Sequence, residues 1–460
     1  MIDQYDHTTE PYWTYDPNTG QPDGPFSESN GLSATVFQNV ATGERVLAIR
    51  GTSDIHDVIT DVVDVFTLGS TRNQGQYLAL RDKVQQWIAG GVLPQHFPVT
   101  GHSLGGFLAT GLALEFPQHV DHAYLYNTPG LGGLTSRPVL DEIARVYHIA
   151  GGSFDPSRFS NVRAKPGTSL ISGFGTPLSA PILVEGEDHG GLFIGTANHS
   201  IKYLVDSLAV YDALDWVSDT DARERIGTIV RGAGVSPLGK LEATLDSLRA
   251  MLLGGSLPRT AHEDRESLHA NLIALTDSAA HRTLFGQAQL TPTAQLGLRA
   301  LAGDPSAGLA ALTALRFLSP FRLGGVEGAL ASANPALAVS LAHDAALTRQ
   351  RLLVDADYSD AWRADRARML KAMIGRAESD GAQDVARRIP VSRRYDDRGD
   401  AIVLDTRPGD RRVAPVAQVT FGKEDASNTI VAGSSADALY GGFQADTLDG
   451  GAGDDRIEGR

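Results

Sequence analysis

Phe97-Pro98-Val99-Thr100-Gly101-His102-Ser103-Leu104-Gly105-Gly106 decides how the first half of this chain is read. Its centre has the form Gly-x-Ser-x-Gly, the pattern of a nucleophile elbow, in which a serine is held on a sharp turn between a strand and a helix. Glycines at 101 and 105 let the turn strain and let neighbouring backbone come close. The flanks agree with that context. An apolar run ending at Val99 precedes the turn. Gly106 to Leu114 follows as a buried helix that Pro117 stops.

Outward from the elbow, the upstream sequence predicts strands at Ser33 to Val40 and Arg45 to Arg50, joined by the turn Ala41-Thr42-Gly43-Glu44. The second strand leads into Arg50-Gly51-Thr52-Ser53-Asp54. Beyond it Ile55, Val58, Ile59, Val62, Val63 and Phe66 recur at helical spacing, opposite a face rich in aspartate. This segment, Asp54 to Leu68, is either a core-facing helix or a lid over an apolar site. A helix from Tyr77 to Ala89, strands at Ala123 to Tyr126, Asn161 to Ala164 and Pro181 to Glu185, and a helix from Tyr203 to Leu214 complete an alternation that predicts an α/β fold. Residues 1 to 31, rich in Tyr, Pro, Asp and Gly, are expected to wrap a surface without regular structure.

Composition narrows the function. The chain has 460 residues, 42% of them hydrophobic, enough for two or three domains with substantial cores. A formal net charge of -15 argues against a nucleic-acid partner and suits a soluble protein or one that binds cations. No cysteine is present, which is compatible with export without disulfides. The opening Met1-Ile2-Asp3-Gln4-Tyr5-Asp6 is acidic and polar where a secretory leader is basic and then apolar. No apolar run has the length of a membrane span.

Two stretches together resemble the class 3 lipase family of α/β-hydrolases. One is Gly101-His102-Ser103-Leu104-Gly105-Gly106. The other is Ile49-Arg50-Gly51-Thr52-Ser53 with Ile55 and Asp61, similar to the family's arginine-glycine-serine/threonine stretch that leads into its lid helix. The resemblance covers roughly residues 32 to 215. It implies that Ser103 is the nucleophile and that Thr52 and the backbone N–H of Leu104 form the oxyanion hole, where preorganised donors stabilise the developing charge. A serine nucleophile needs an imidazole base. His119 and His122 lie too close to the elbow helix and His148 precedes the later strands, so His199 is the expected base and His189 the reserve. In the family an aspartate follows the penultimate strand. Here that loop, Lys165-Pro166-Gly167-Thr168-Ser169-Leu170-Ile171-Ser172-Gly173, has no carboxylate. Asp155, Glu185, Glu187 and Asp188 are left as alternatives for the acid.

From 218 to 412 the composition shifts to Ala, Leu, Arg and Gly, with helical stripes at Leu241, Leu245, Leu248, Leu252 and at Leu268, Leu272, Leu275. The end of the chain reads in nines. Asp437, Asp446 and Asp455 recur at that interval, and Leu439, Leu448 and Ile457 keep the same register. This resembles the RTX nonapeptide, which winds a parallel β-roll around calcium. Glycines expose turn carbonyls, the aspartate adds a hard anionic oxygen, and the apolar residue faces the interior. With two nonapeptides per coil, Asp437 and Asp455 are expected to share one side. Asp446 then faces the other side without a stacked partner, so that calcium orders the segment only weakly.

The resulting expectation is an α/β-hydrolase domain over 1–217, a mainly helical region over 218–412, and a strand-rich segment with the start of a calcium-binding parallel β-roll over 413–460. It describes a secreted serine lipase or phospholipase A1-like enzyme, exported without a signal peptide, with structural calcium at Asp437, Asp446 and Asp455. Its partner is a lipid ester at a lipid–water interface, with no nucleic acid and no transmembrane segment. The competing reading is a calcium-dependent RTX surface or adhesion protein whose hydrolase-like fold is inactive, since the acid is unassigned.

Overall fold

A computed structural model describes residues 13–15, 26–27, 31–39, 41–50, 71–130, 155–165, 177–186, 200–215, 222–234, 239–253, 257–262, 264–284, 287–303, 308–326, 358–378, 392–407, 415–424 and 426–459. The chain divides into two compact units, residues 1–205 and 206–460.

The first unit is one eight-stranded sheet with helices. Its strands are β1 (Trp13–Tyr15), β2 (Phe26–Ser27), β3 (Ser33–Asn39), β4 (Arg45–Arg50), β5 (Phe97–His102), β6 (Val120–Tyr126), β7 (Phe159–Ala164) and β8 (Pro181–Val184). The order is β1-β3-β4-β5-β6-β7-β8, with β2 also on β3; residues 13–15 and 26–27, expected to lack regular structure, instead pair antiparallel with β3. The expected hairpin forms: β3 and β4 pair antiparallel around a turn in which Asn39 Oδ1 accepts the Ala41 and Thr42 amides and Gly43 takes φ +74. From β4 to β8 all pairings are parallel. Helices α1 (Thr71–Ala89) and α2 (Leu104–Glu115) flank the elbow strand in sequence.

Alternation explains the sheet's core. Leu47 and Ile49 of β4, Val99 of β5, Ala123 and Leu125 of β6 and Phe159 of β7 lie in one register across the ladder, and all are buried with Leu108 and Leu112 of α2. Because β5, β7 and β8 run in the same direction, segments that follow them emerge on the edge where Ser103 lies.

The second unit opens inside α3 (Ile201–Leu214). It continues through α4 (Ala222–Gly232), α5 (Lys240–Leu253), α6 (Arg265–Thr276) and α7 (Ala279–Leu284) to α8 (Leu298–Gly303), α9 (Gly308–Arg316) and α10 (Asp360–Glu378). Both predicted leucine stripes are buried, on α5 and α6. The region is not purely helical: β9 (Gln289–Pro292) pairs with β10 (Phe321–Gly324), and β11 (Arg394–Asp397) with β12 (Ile402–Asp405).

At the C-terminal end the short strands β13 (Gln418–Phe421), β14 (Thr429–Val431), β15 (Ala438–Tyr440), β16 (Thr447–Asp449) and β17 (Arg456–Glu458) alternate between two parallel ladders. Ala438 pairs with Arg456 and Thr429 with Thr447, each eighteen residues on. The first ladder continues the sheet of β11 and β12 through β13. This segment is not a loosely attached tail. Phe421 and Tyr440 stack at 5.2 Å, and both are buried in the same apolar cluster as Trp362, Met369, Leu370 and Met373 of α10. The Tyr440 hydroxyl donates to Oδ2 of the buried Asp365 at 2.8 Å. Tyr358 donates to Glu424 at 2.6 Å, and Arg316 pairs with the same carboxylate at 2.7 Å.

Removing one partner of a buried charged hydrogen bond costs about 1–3 kcal/mol. Tyr440→Phe should therefore lower the denaturant-unfolding free energy of the full chain by that order. Tyr440→Ala should cost more, about 3–5 kcal/mol, because the stack on Phe421 goes as well. Unfolding curves for both variants that superpose on wild type would refute this packing.

Candidate functional site

Ser103 sits at φ 55, ψ −124, a conformation that costs about 1–3 kcal/mol for a residue with a Cβ. Its surroundings hold it there. The Ser103 amide donates to Tyr126 O at 3.0 Å, and its carbonyl accepts Phe107 N–H at 3.2 Å. A Cβ on Gly101 would overlap the Gly105 carbonyl, one on Gly105 would overlap the Ile49 carbonyl, and one on Gly106 would overlap Oγ1 of Thr128. Gly101 and Gly105 thus allow backbone contacts that the turn requires, and Gly106 makes room for the Thr128 side chain. The outcome is a serine 1% exposed whose Oγ has no hydrogen-bond partner among the described residues. A buried, unengaged hydroxyl at the end of a parallel strand and the start of a helix can act as a nucleophile once a base reaches it.

Leu104 is the first residue of α2, so its N–H has no acceptor within the helix and adjoins the nucleophile. Arg50 ends β4 beside the elbow, since Ile49 pairs with Gly101 and lies against Gly105. Thr52 is two residues further on and lies outside the described residues, as does the whole segment 54–68. His199 and His189 lie outside them too. The residue after His199 is described: Ser200 Oγ accepts Lys202 N–H at 3.3 Å, at the start of α3.

Of the acid alternatives, Asp155 precedes β7 and accepts Ser157 N–H as the cap of a short helical turn, 156–158. It lies at the edge of the sheet opposite Ser103, about 20 Å away along a six-residue strand, so it is not a partner for the elbow. Glu185 follows β8 on the correct edge and is buried, with Lys165 Nζ 2.9 Å from Oε1. Glu187 and Asp188 lie outside the described residues. His119 and His122 sit at the start of β6, bonded to Gln95 O and Ser160 Oγ, again on the far edge.

The repeat aspartates share one arrangement. Asp437 accepts Gln418 N–H and Gly433 N–H, Asp455 accepts Asp437 N–H, and Asp446 accepts Asn428 N–H, at 2.7 to 2.9 Å. Each carboxylate thereby ties its coil to the one before. Asp446 does have a stacked partner, contrary to the expectation above: it is Asn428, eighteen residues earlier, whose Nδ2 also donates to Oδ1 at 2.8 Å. The sequence reading missed this repeat because Asn stands for Asp and Lys423-Glu424 for the glycine pair. Ile430, nine before Leu439, was the available signal.

The turns suit a hard cation. Oδ2 of Asp446 is buried with no hydrogen-bond partner among the described residues, and a Cβ on Gly441 would overlap that same atom. Gly451, at φ +80, lies against the Gly433 carbonyl where a Cβ would not fit. An uncompensated carboxylate oxygen and crowded turn carbonyls make a donor set of the kind calcium takes.

Comparison with known proteins supports this assignment. Residues 424–457 match the RTX calcium-binding nonapeptide repeat in four copies, and they are calcium-binding repeats. No curated protein matches the chain. Among solved structures, the chain is similar to the Lip2 lipase of Yarrowia lipolytica, with 18% identity, 35% of this chain and 64% of that chain covered, and a TM-score of 0.25. A fungal lipase gives 17% identity, 38% and 66% coverage and a TM-score of 0.26, and the propeptide complex of Rhizomucor miehei lipase 16%, 35%, 55% and 0.22. The chain thus spans less than two thirds of the Lip2 structure. Similarities of this size do not establish a shared fold, and the chemistry of Ser103 rests on its own geometry.

Gly105→Ala tests that geometry directly. The added methyl group meets backbone that cannot rotate away, so a loss of several kcal/mol or failure to fold is expected, as for overpacked cores. A soluble Gly105→Ala protein with wild-type thermal stability would show that β4 and α2 do not pack as described.

Proposed function

We propose that this chain is an exported serine hydrolase of carboxylic esters that acts on lipids at a lipid–water interface through an acyl-enzyme. The observation that carries the reading is the strained, unengaged Ser103 between β5 and α2 on a parallel sheet. In this reading 1–217 is an α/β-hydrolase domain, 218–412 a mainly helical region, and the alternating ladders over 413–460 part of a parallel β-roll.

Ser103 Oγ attacks the ester carbonyl and its proton passes to His199, which returns it to the leaving alcohol. The Leu104 N–H, with Thr52, receives the oxyanion. Water then attacks the acyl-enzyme by the same route, releasing the fatty acid. The acid that orients His199 is one of Glu185, Glu187 and Asp188. The segment 54–68 is assigned the role of a lid that opens at a lipid interface. In the repeats Asp437, Asp446 and Asp455 would hold calcium, which supplies the positive charge that lets stacked carboxylates share a turn.

Ser103→Ala and His199→Ala should each reduce p-nitrophenyl butyrate hydrolysis by at least about 10³-fold, and a fluorophosphonate should label Ser103. Labelling at another residue, or wild-type turnover in Ser103→Ala, would end the hydrolase reading and favour the non-enzymatic RTX alternative.

A separate measurement addresses the repeats. Calcium should raise the melting temperature of the full chain, EGTA should reverse the rise, and Asp446→Ala and Asp455→Ala should each diminish it. An undiminished rise in both variants would place the stabilising ion elsewhere.

A further inference from the structure

Counting back by nines from Asp455, Asp446 and Asp437 arrives at Asn428, where the repeat has an amide in place of a carboxylate. The residue is 7% exposed, so its side chain must find its partners inside the turn. A carboxylate there would offer two acceptor oxygens. The amide offers one, and presents an NH2 group to whatever the second oxygen would have faced.

Both ends of this amide are matched. Oδ1 accepts the Lys423 N–H at 2.8 Å. Nδ2 faces three oxygens: it donates to the carbonyls of Lys423 and Ala426, each at 2.9 Å, and to Asp446 Oδ1 in the stacked turn at 2.8 Å. Reversing the amide would set Nδ2 against an N–H and Oδ1 against three oxygens, so its orientation is determined by its neighbours. Backbone carbonyls and a carboxylate oxygen gathered from two coils are the donors that a calcium ion draws together. Here they converge on a nitrogen that carries hydrogens and cannot be a ligand. Glu424, the described acidic residue of this turn, is engaged elsewhere, with Tyr358 on Oε1 and Arg316 on Oε2. Asp425 lies outside the described residues.

The turn nine residues on provides the contrast. Asp437 Oδ2 accepts the Gly433 N–H, and a carboxylate has no hydrogen to give to the carbonyls of Ala432 and Ser435, the counterparts of Lys423 and Ala426. Gly451 and Gly453 of the stacked turn lie against the carbonyls of Gly433 and Ser435 with no room for a Cβ. That side is rich in oxygen and fits a hard cation. Nor does the bond to Asn428 remove Asp446 from calcium binding, because it uses Oδ1, whereas Oδ2 lies toward Gly441 in its own turn.

We propose that the Asn428 amide takes the place of a calcium ion between the turns 423–428 and 441–446, so that this pair of turns closes without metal. The inference rests on the calcium-binding repeats and concerns the turn whose residues do not fit the ion. It makes the tie between β14 and β16 independent of calcium, in contrast to the pair of turns at 432–437 and 450–455.

The test counts calcium per full chain by calorimetric titration of chelator-treated protein, with melting curves in EGTA and in calcium. Asn428→Asp restores the carboxylate, and should bind one calcium ion more than wild type. In EGTA it should melt below wild type, since its oxygens then face those of Lys423, Ala426 and Asp446, and calcium should restore the loss. Asn428→Ala removes the amide without adding a charge. It should melt lower in EGTA while keeping the wild-type calcium count. A count unchanged in Asn428→Asp would overturn the proposal, because the amide would not be what excludes the ion. A count one lower in Asn428→Ala would overturn it as well, by making Asn428 a ligand. Gain of one ion by Asn428→Asp over a wild type that binds none would still support this inference while counting against the other turns, so the two readings fail separately.

Discussion

Between Gly105 and the carbonyl of Ile49 there is no room for a side chain, and this contact fixes how β4, β5 and α2 meet. A consequence follows from a backbone packed on a backbone. The helix is brought close enough to the strands that the turn joining it to β5 has to pass through a positive φ at Ser103. Among the described residues the serine hydroxyl has no hydrogen-bond partner, so none of them engages it structurally. The strain has a steric cause, and the surrounding ladder of Leu47, Val99 and Ala123 is rigid enough to hold it.

The second unit solves a different problem. Its C-terminal strands are three or four residues long and could not bury much surface alone. They obtain a core by presenting Phe421 and Tyr440 to α10, while Arg366 on that helix lies over the Phe421 ring at 4.8 Å and pairs with the buried Asp397 at 2.7 Å. Arg366 also donates to the carbonyls of Leu315 and Arg316 at the end of α9. One side chain therefore joins a helix terminus, an aromatic face and a hairpin turn, which a lysine could not do.

What the sequence made legible was local. The elbow could be read because glycine spacing encodes the close contacts themselves, and the hairpin at 41–44 because a turn residue with positive φ is a short-range signal. The nine-residue period exposed the repeats wherever Asp and Gly were kept, and hid the one at Asn428. What stayed hidden was long-range. The aromatic residue in Tyr440's position carries no repeat consensus, so nothing marked it as the face that docks on α10. Along α5 the leucine stripe is legible from its period, whereas the bonds from Arg249 to Pro258 and Thr260 have no local signature. The acid has no local signature because a carboxylate's role depends on which edge of the sheet it occupies. Asp155 and Glu185 lie at opposite ends of the parallel strands, which their local sequence does not reveal.

The ladder of β11, β13, β15 and β17 also has a direction. At one side it is closed by the antiparallel strand β12 and backed by α10, with Leu439 fully buried. At the other, Ile457 of β17 is 49% exposed. Each coil's carboxylate bonds to an amide of the coil before it, so a coil has a template only after its predecessor is in place. In such an array each coil contacts only its neighbours, and here the hairpin β11–β12 and α10 support the end of the ladder at β13. Amide protection against hydrogen exchange should fall stepwise from β13 through β15 to β17, and uniform protection along the ladder would mean that the coils form as a single cooperative block.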